Sequence, residues 1–184
     1  MNELIKKIAW DAIYSKLGYK PKNETIITKY DAVKVSADFV LPMATFITLK
    51  KDGRLRGCIG SLVAHREFYD DLVHNAVNAA FSDPRFKPVT ADELANISLE
   101  VSILTPAVLV QYDNIEDLKS KIEVGIDGVI LKQGQNQATF LPQVWEDLKD
   151  FETFFSHLCQ KARLEGDCLN SHPQIYKYQV EKIK

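Results

Sequence analysis

Cysteine is scarce in this chain. Its three cysteines, Cys58, Cys159 and Cys168, are an odd number at wide spacing among 184 residues. That fits neither a disulfide framework nor a CxxC zinc site, so three free thiols are expected in a reducing compartment. Long apolar runs are also missing. None approaches the roughly 18 residues of a membrane-spanning helix. The opening MNELIKKIAWDAI mixes acids and lysines into its apolar pattern. It has neither the apolar core nor the small-residue cleavage site of a signal peptide, and the expectation is a cytoplasmic protein. Neither charge sign dominates: 23 Lys and Arg stand against 25 Asp and Glu, a formal net charge of −2. Nucleic-acid binding, which shows as clustered positive charge, is therefore not expected. HExxH, P-loop, GxGxxG and GxSxG patterns are absent, as are internal repeats, low-complexity runs and linkers. No metal site is read from the sequence, and no cofactor is named by it.

What remains is an ordinary globular composition, 46% apolar and 26% charged. It is long enough for one domain that buries most of its apolar surface. Leu4, Ile5, Ile8, Ala12 and Ile13 recur at helical spacing after Asn2, a candidate cap, and Gly18 is a candidate stop. Pro21 and Asn23 mark a loop. VKVSADFVLP (33–42) reads as extended. TFITL (45–49) and RLRGCIGSL (54–62) read as a hairpin around Asp52-Gly53. A three-residue loop, 51–53, gives that hairpin an apolar face of Ile47, Leu49, Leu55 and Ile59. Its opposite face then carries Thr48, Lys50, Arg54, Arg56 and Cys58, and a buried face selects such a register.

Residues 67–81 form an amphipathic helix with Phe68, Leu72, Ala76 and Ala80 on its apolar stripe. His74, Asn75 and Asn78 fall on or near its polar side. SDPRFKPVT (82–90) is a proline-rich connector held by Phe81 and Phe86, and Thr90 with Glu93 makes a capping box. ISLEVSIL (97–104) alternates cleanly, with Glu100 and Ser102 facing away from the core. Short helices are expected at 114–122 and after Pro142, and a second hairpin at 128–141. An amphipathic helix follows at 151–164 and a last strand at 174–183. Hairpins and helices without regular alternation point to α+β with a mostly antiparallel sheet.

The motif LRGCIG (55–60) concentrates the chemistry. A thiol becomes nucleophilic when a nearby cation lowers its pKa, and Arg56 lies two residues from Cys58. Gly57 and Gly60 leave room for another backbone or a ligand. The competing reading is a small buried hydrophobe, a common use of free cysteine. Glu100 either faces solvent or works as a base toward Cys58. Asp83 and Arg85 flank Pro84, where the structural reading is a turn: Asp83 bonds local amides and Arg85 bridges to a neighbour. His65, His74 and His157 form no dyad or metal pair readable from spacing.

LRGCIG resembles the hallmark of the AMMECR domain family, AmmeMemoRadiSam system protein A. NAVNAAFSDPRFKPVT (75–90), ISLEVSILTP (97–106), GVILKQGQNQATFLPQVW (128–145), HLCQKARL (157–164) and YKYQVEKI resemble its other segments, in order, over nearly the whole chain. One departure is Arg163, where the family pattern has glycine. The resemblance implies one domain over 1–184, with a larger and a smaller subdomain intimately packed and a cleft near the motif. It implies partnership with Memo-like and radical SAM proteins, and an unknown small-molecule or macromolecular substrate. By the same resemblance Arg56, Gly57, Cys58, Gly60, Asp83, Arg85, Glu100, Ser102 and Gln143 are the site residues. In an enzyme, Cys58 would be nucleophile or transient acceptor and Glu100 general acid or base. Arg56 would lower the thiol pKa or hold an anion, and Gln143 would position the substrate. In the alternative, the motif is a docking face without chemistry.

Overall fold

The computed structural model describes residues 1–19 and 25–184; the loop expected at Pro21 and Asn23 lies outside them. The chain runs α1 (Asn2–Lys16), α2 (Lys29–Val35), β1 (Ala44–Lys51), β2 (Arg54–Gly60), α3 (Phe68–Phe81), β3 (Ile97–Leu104) and β4 (Val108–Val110). It continues through α4 (Ile115–Lys121), β5 (Gly128–Gln133), β6 (Asn136–Phe140), α5 (Phe151–Lys161), β7 (Gln174–Tyr178) and β8 (Val180–Ile183). The strands form two four-stranded sheets, ordered β2-β1-β3-β8 and β4-β7-β5-β6. This is the expected α+β class, with helices and antiparallel pairing.

Two compact units divide the chain. The first comprises residues 1–104 and 181–184, the second 105–180. In the first, α1 and α3 cover one face of the sheet. Ile8, Leu72, Ala76 and Ala79 pack there against Ile47, Leu49, Leu99 and Val101. In the second, Phe154, Phe155 and Leu158 of α5 join Leu118, Leu131 and Ile175 in a separate core, with Trp145 stacked on Phe154.

The β1–β2 hairpin differs from expectation at its turn. Its loop has two residues, and Asp52 (φ 50°) and Gly53 (φ 77°) both take the left-handed conformation that a two-residue hairpin loop requires. Lys50 pairs with Leu55, but Leu49 pairs with Gly57, so Arg56 is the extra residue of a β-bulge. The bulge absorbs one step of register. Beyond it Ile47 and Ile59 share the core side and Thr48 and Cys58 the other, as the alternation requires. On the turn side Leu55 is 44% exposed instead of buried with Leu49.

Three further expectations are corrected. Residues 33–42 are not extended. Thr28 and Asp31 form a reciprocal capping box that starts α2, and Ser36 caps a 3₁₀ turn at Ala37–Val40. The closing strand is two strands, because the chain leaves one sheet at Tyr178 and enters the other at Val180. Only Cys58 is a free thiol: Cys159 and Cys168 form a disulfide, their Cα atoms 5.8 Å apart. After α5 the chain reverses through Arg163, whose φ of 62° suits the glycine of the family pattern, and returns Cys168 to the buried side of the helix. Spacing alone does not reveal that reversal.

Candidate functional site

Thr48 pairs with Cys58 on one side and with Glu100 on the other. The three residues form a row across β2, β1 and β3, on the sheet face opposite Ile47 and Val101. The strands carrying Cys58 and Glu100 are therefore not adjacent. Two strand spacings, about 10 Å between backbones, separate the residues in register. The Cys58 Sγ lies 3.4 Å from the Thr48 hydroxyl, and the thiol is half-buried. Glu100 is half-buried as well and has no hydrogen-bond or ion-pair partner among the described residues. A neighbouring row on the same face holds Ser102, Phe46 and Gly60.

β2 is an edge strand, and its outward groups at Cys58 are taken. Asp83 Oδ2 accepts the Cys58 N–H at 2.9 Å, and Arg85 Nη2 donates to the Cys58 carbonyl at 3.3 Å. Arg85 also donates from Nε to Asp83 Oδ1 (3.0 Å) and from Nη2 to Oδ2 (2.7 Å), and its backbone N–H reaches Oδ1 at 3.1 Å. Asp83 is 4% exposed. The Arg85 guanidinium, seconded by the Cys58 amide, holds its carboxyl far below the usual carboxylate range. The local turn read from the sequence is present, and it extends to a strand 25 residues away.

Arg56 does not face the thiol as a free cation. Lifted out by the bulge, it forms a bidentate pair with Glu93: Nε to Oε1 at 3.0 Å and Nη2 to Oε2 at 2.9 Å. Lys51 adds a bond to Oε1 at 3.0 Å. Phe86 is near two guanidiniums, its ring centroid 5.9 Å from Arg56 and 5.5 Å from Arg85, rather than in the core. Both glycine spaces are filled by the chain itself. A Cβ on Gly57 would stand 2.1 Å from the Ala79 carbonyl oxygen of α3, and one on Gly60 would stand 2.2 Å from the Phe46 ring. Gln143 is exposed on a 3₁₀ turn, Pro142–Glu146, of the second unit. His65, His74 and His157 are exposed.

Sequence reading missed the polar node beneath the site. Asp71, fully buried, accepts from the Thr45 backbone N–H and hydroxyl at 2.8 Å each and from Ser61 Oγ at 2.6 Å. Arg66 donates to it at 3.3 Å and Asn75 at 2.9 Å. Asn75 is 2% exposed and faces the sheet, not the polar side assigned to it. The available signal was the i, i+4 spacing of Asp71 and Asn75 beside Leu72, Ala76 and Ala79.

The Glu93 pairing has a pH signature. Arg56 first, then the Thr90 amide and Lys51, hold the Glu93 carboxyl at about 2 against an ordinary 4.5. A depressed folded pKa gives stability that is present above the unfolded value and is lost as pH falls through the folded one. We expect stability to fall between about pH 5 and pH 2, with Glu93 supplying on the order of 2 kcal/mol of that loss. Thermal melts of Glu93→Gln should show a shallower fall over this window; an unchanged slope contradicts the assignment.

The arrangement so far defines an α+β protein with one free thiol set in register with a carboxylate on the sheet face away from its covering helices. The AMMECR1 family pattern matches residues 6–183, and the chain belongs to that family. It is 40% identical over 138 residues to a protein of Methanothermobacter thermautotrophicus, covering 74% of this chain and 72% of that one. A Sulfurisphaera tokodaii protein is 37% identical over 183 residues, covering 97% and 80%. The crystal structure of an uncharacterised protein, PH0010, from Pyrococcus horikoshii superposes with a TM-score of 0.76 at 32% identity, covering 98% and 89%. No helix among the described residues is long and apolar enough to cross a membrane.

Proposed function

We propose that this chain is a thiol-dependent enzyme, or the thiol-bearing component of one, that works with Memo-like and radical SAM proteins. The observation that supports this reading is the Cys58–Thr48–Glu100 row: a free thiol at 3.4 Å from a hydroxyl, in register with a carboxylate that has no partner among the described residues. Cys58 is the nucleophile or transient acceptor, and Thr48 orients its sulfur. The separation of Glu100 from Cys58 leaves room for a substrate across β1, on which Glu100 acts as acid or base. Arg56, tied to Glu93, supports the hairpin rather than the substrate.

A second reading has its own observation. Leu55, at one end of β2, and Leu62 and Val63, just past the other, are 44%, 39% and 46% exposed, apolar side chains that a partner protein could cover. Complementation of a strain lacking the gene separates the two. Cys58→Ser and Glu100→Gln should each abolish rescue while the folded protein accumulates normally. Full rescue by Cys58→Ser, with loss in Leu62→Asp, ends the enzymatic reading and leaves docking.

A further inference from the structure

Resting on the thiol-enzyme reading, we propose that the Asp83–Arg85 pair is the positioning element of Cys58 and that it sets the class of electrophile: a saturated carbon, not an acyl carbonyl. Acyl transfer needs donors aimed at the oxyanion that develops on the carbonyl, and backbone amides at and next to the nucleophile are the usual ones. At Cys58 both are committed. Its own N–H donates to the Asp83 carboxylate at 2.9 Å. Directly opposed residues of an antiparallel pair alternate between bonded and unbonded. Cys58 points its amide outward, and Ser61 donates to Thr45 at 2.8 Å, so the Ile59 amide between them turns into the ladder toward Ile47. An oxyanion formed beside these two amides would meet the Asp83 carboxylate and find neither N–H free to donate. Displacement at a saturated carbon develops no oxyanion and loses nothing by this.

In that step the Cys58 sulfur forms a C–S bond to the carbon. The bond from carbon to leaving group breaks, and its electron pair departs with the leaving group. The thiol proton leaves to solvent as the thiolate forms, because Glu100 stands two strands away on the far side of the substrate.

The clamp acts through the backbone. An edge strand is free to fray, and its outward groups ordinarily go to water. Here one ion pair holds both outward groups of Cys58 and no others on β2. The charged groups around the thiol come from four places: Asp83 and Arg85 in the connector, Glu100 on β3, Lys50 on the same face of β1, and, beyond the bulge, the Arg56–Glu93 pair turned to itself.

Cys58 is the only unbonded cysteine, so thiol probes read it alone, with Cys58→Ser as background. Iodoacetamide supplies a saturated carbon and p-nitrophenyl acetate an acyl carbon. Both rates are compared with a small free thiol across pH. Cys58 is expected to alkylate at least as fast as the free thiol and to acylate about tenfold slower or worse. Acylation as fast as the free thiol overturns this inference yet leaves a reactive Cys58. Failure with both probes sinks the thiol-enzyme reading itself.

Positioning is tested by splitting the pair. Asp83→Asn keeps an acceptor for the Cys58 amide but leaves the Arg85 cation unbalanced, and the pH midpoint of alkylation should move down by about one unit. Arg85→Gln leaves the carboxylate unbalanced, and the midpoint should move up. A purely structural clamp predicts two shifts of one sign, or none, and either result overturns the proposal.

Discussion

Replacing Gly57 with alanine is expected to destabilise the first unit by about 3 kcal/mol or more, although it adds one methyl group. The reason is what the methyl would meet. A Cβ at Gly57 lies 2.1 Å from the Ala79 carbonyl oxygen and 3.1 Å from its carbonyl carbon, and these are main-chain atoms of α3. They cannot swing aside as a side chain does. The helix must lift from β2, and with it Leu72, Ala76 and Ala79 lose contact with Ile47 and Leu49. Gly53→Ala is the control. That glycine has a φ of 77° but open space around it, so alanine there costs only the left-handed backbone penalty, about 1–2 kcal/mol. Urea unfolding of both variants checks the ranking. A Gly57→Ala protein with the wild-type midpoint would mean that α3 does not press on the strand.

Asp71→Ala should lower stability by about 3–5 kcal/mol. The Asp71 carboxylate is fully buried and gathers donors from three elements: the start of β1 through Thr45, the segment after β2 through Ser61 and Arg66, and α3 through Asn75. Alanine leaves those donors facing one another around a small void, and an orphaned buried donor costs more than a bond is worth. Arg66 is less affected, since its side chain is 40% exposed and can turn to water. Asp71→Asn keeps the shape but puts an amide NH₂ toward a ring of donors, so it should fall between wild type and alanine. Chemical denaturation measures all three. A neutral Asp71→Ala would show that the donors find other partners.

The elements that were legible in the sequence are those whose pattern is set locally. Residues 97–104 alternate without a break, and β3 occupies those residues. Thr90 and Glu93 form the capping box read from their spacing, though it starts a 3₁₀ turn. The faces of the first hairpin were legible because burying Ile47 and Ile59 together admits one solution. Its loop was not, since the Arg56 bulge depends on Glu93, which arrives from another part of the chain. Val33 and Val35 suggested an extended run, and the capping box five residues before Val33 decided otherwise.

The candidate site divides in the same way. Alternation places Cys58 and Glu100 on non-core faces. That they flank one strand in register is strand order, which no single segment encodes. Asp83 was legible as a turn residue through its bonds to Arg85. Its bond to the Cys58 amide depends on where α3 delivers the connector.

The last strand bears on how the molecule is made. Val180–Ile183 completes the first sheet beside β3, and Ile183 enters the first core. Residues 105–180, a unit with its own core, are translated before that happens. For on the order of ten seconds at ordinary elongation rates, β3 therefore emerges from the ribosome with one flank bare. A nascent chain stalled within this interval offers an unpaired strand edge to any neighbour, and the inserted unit has time to mature before the first sheet is complete.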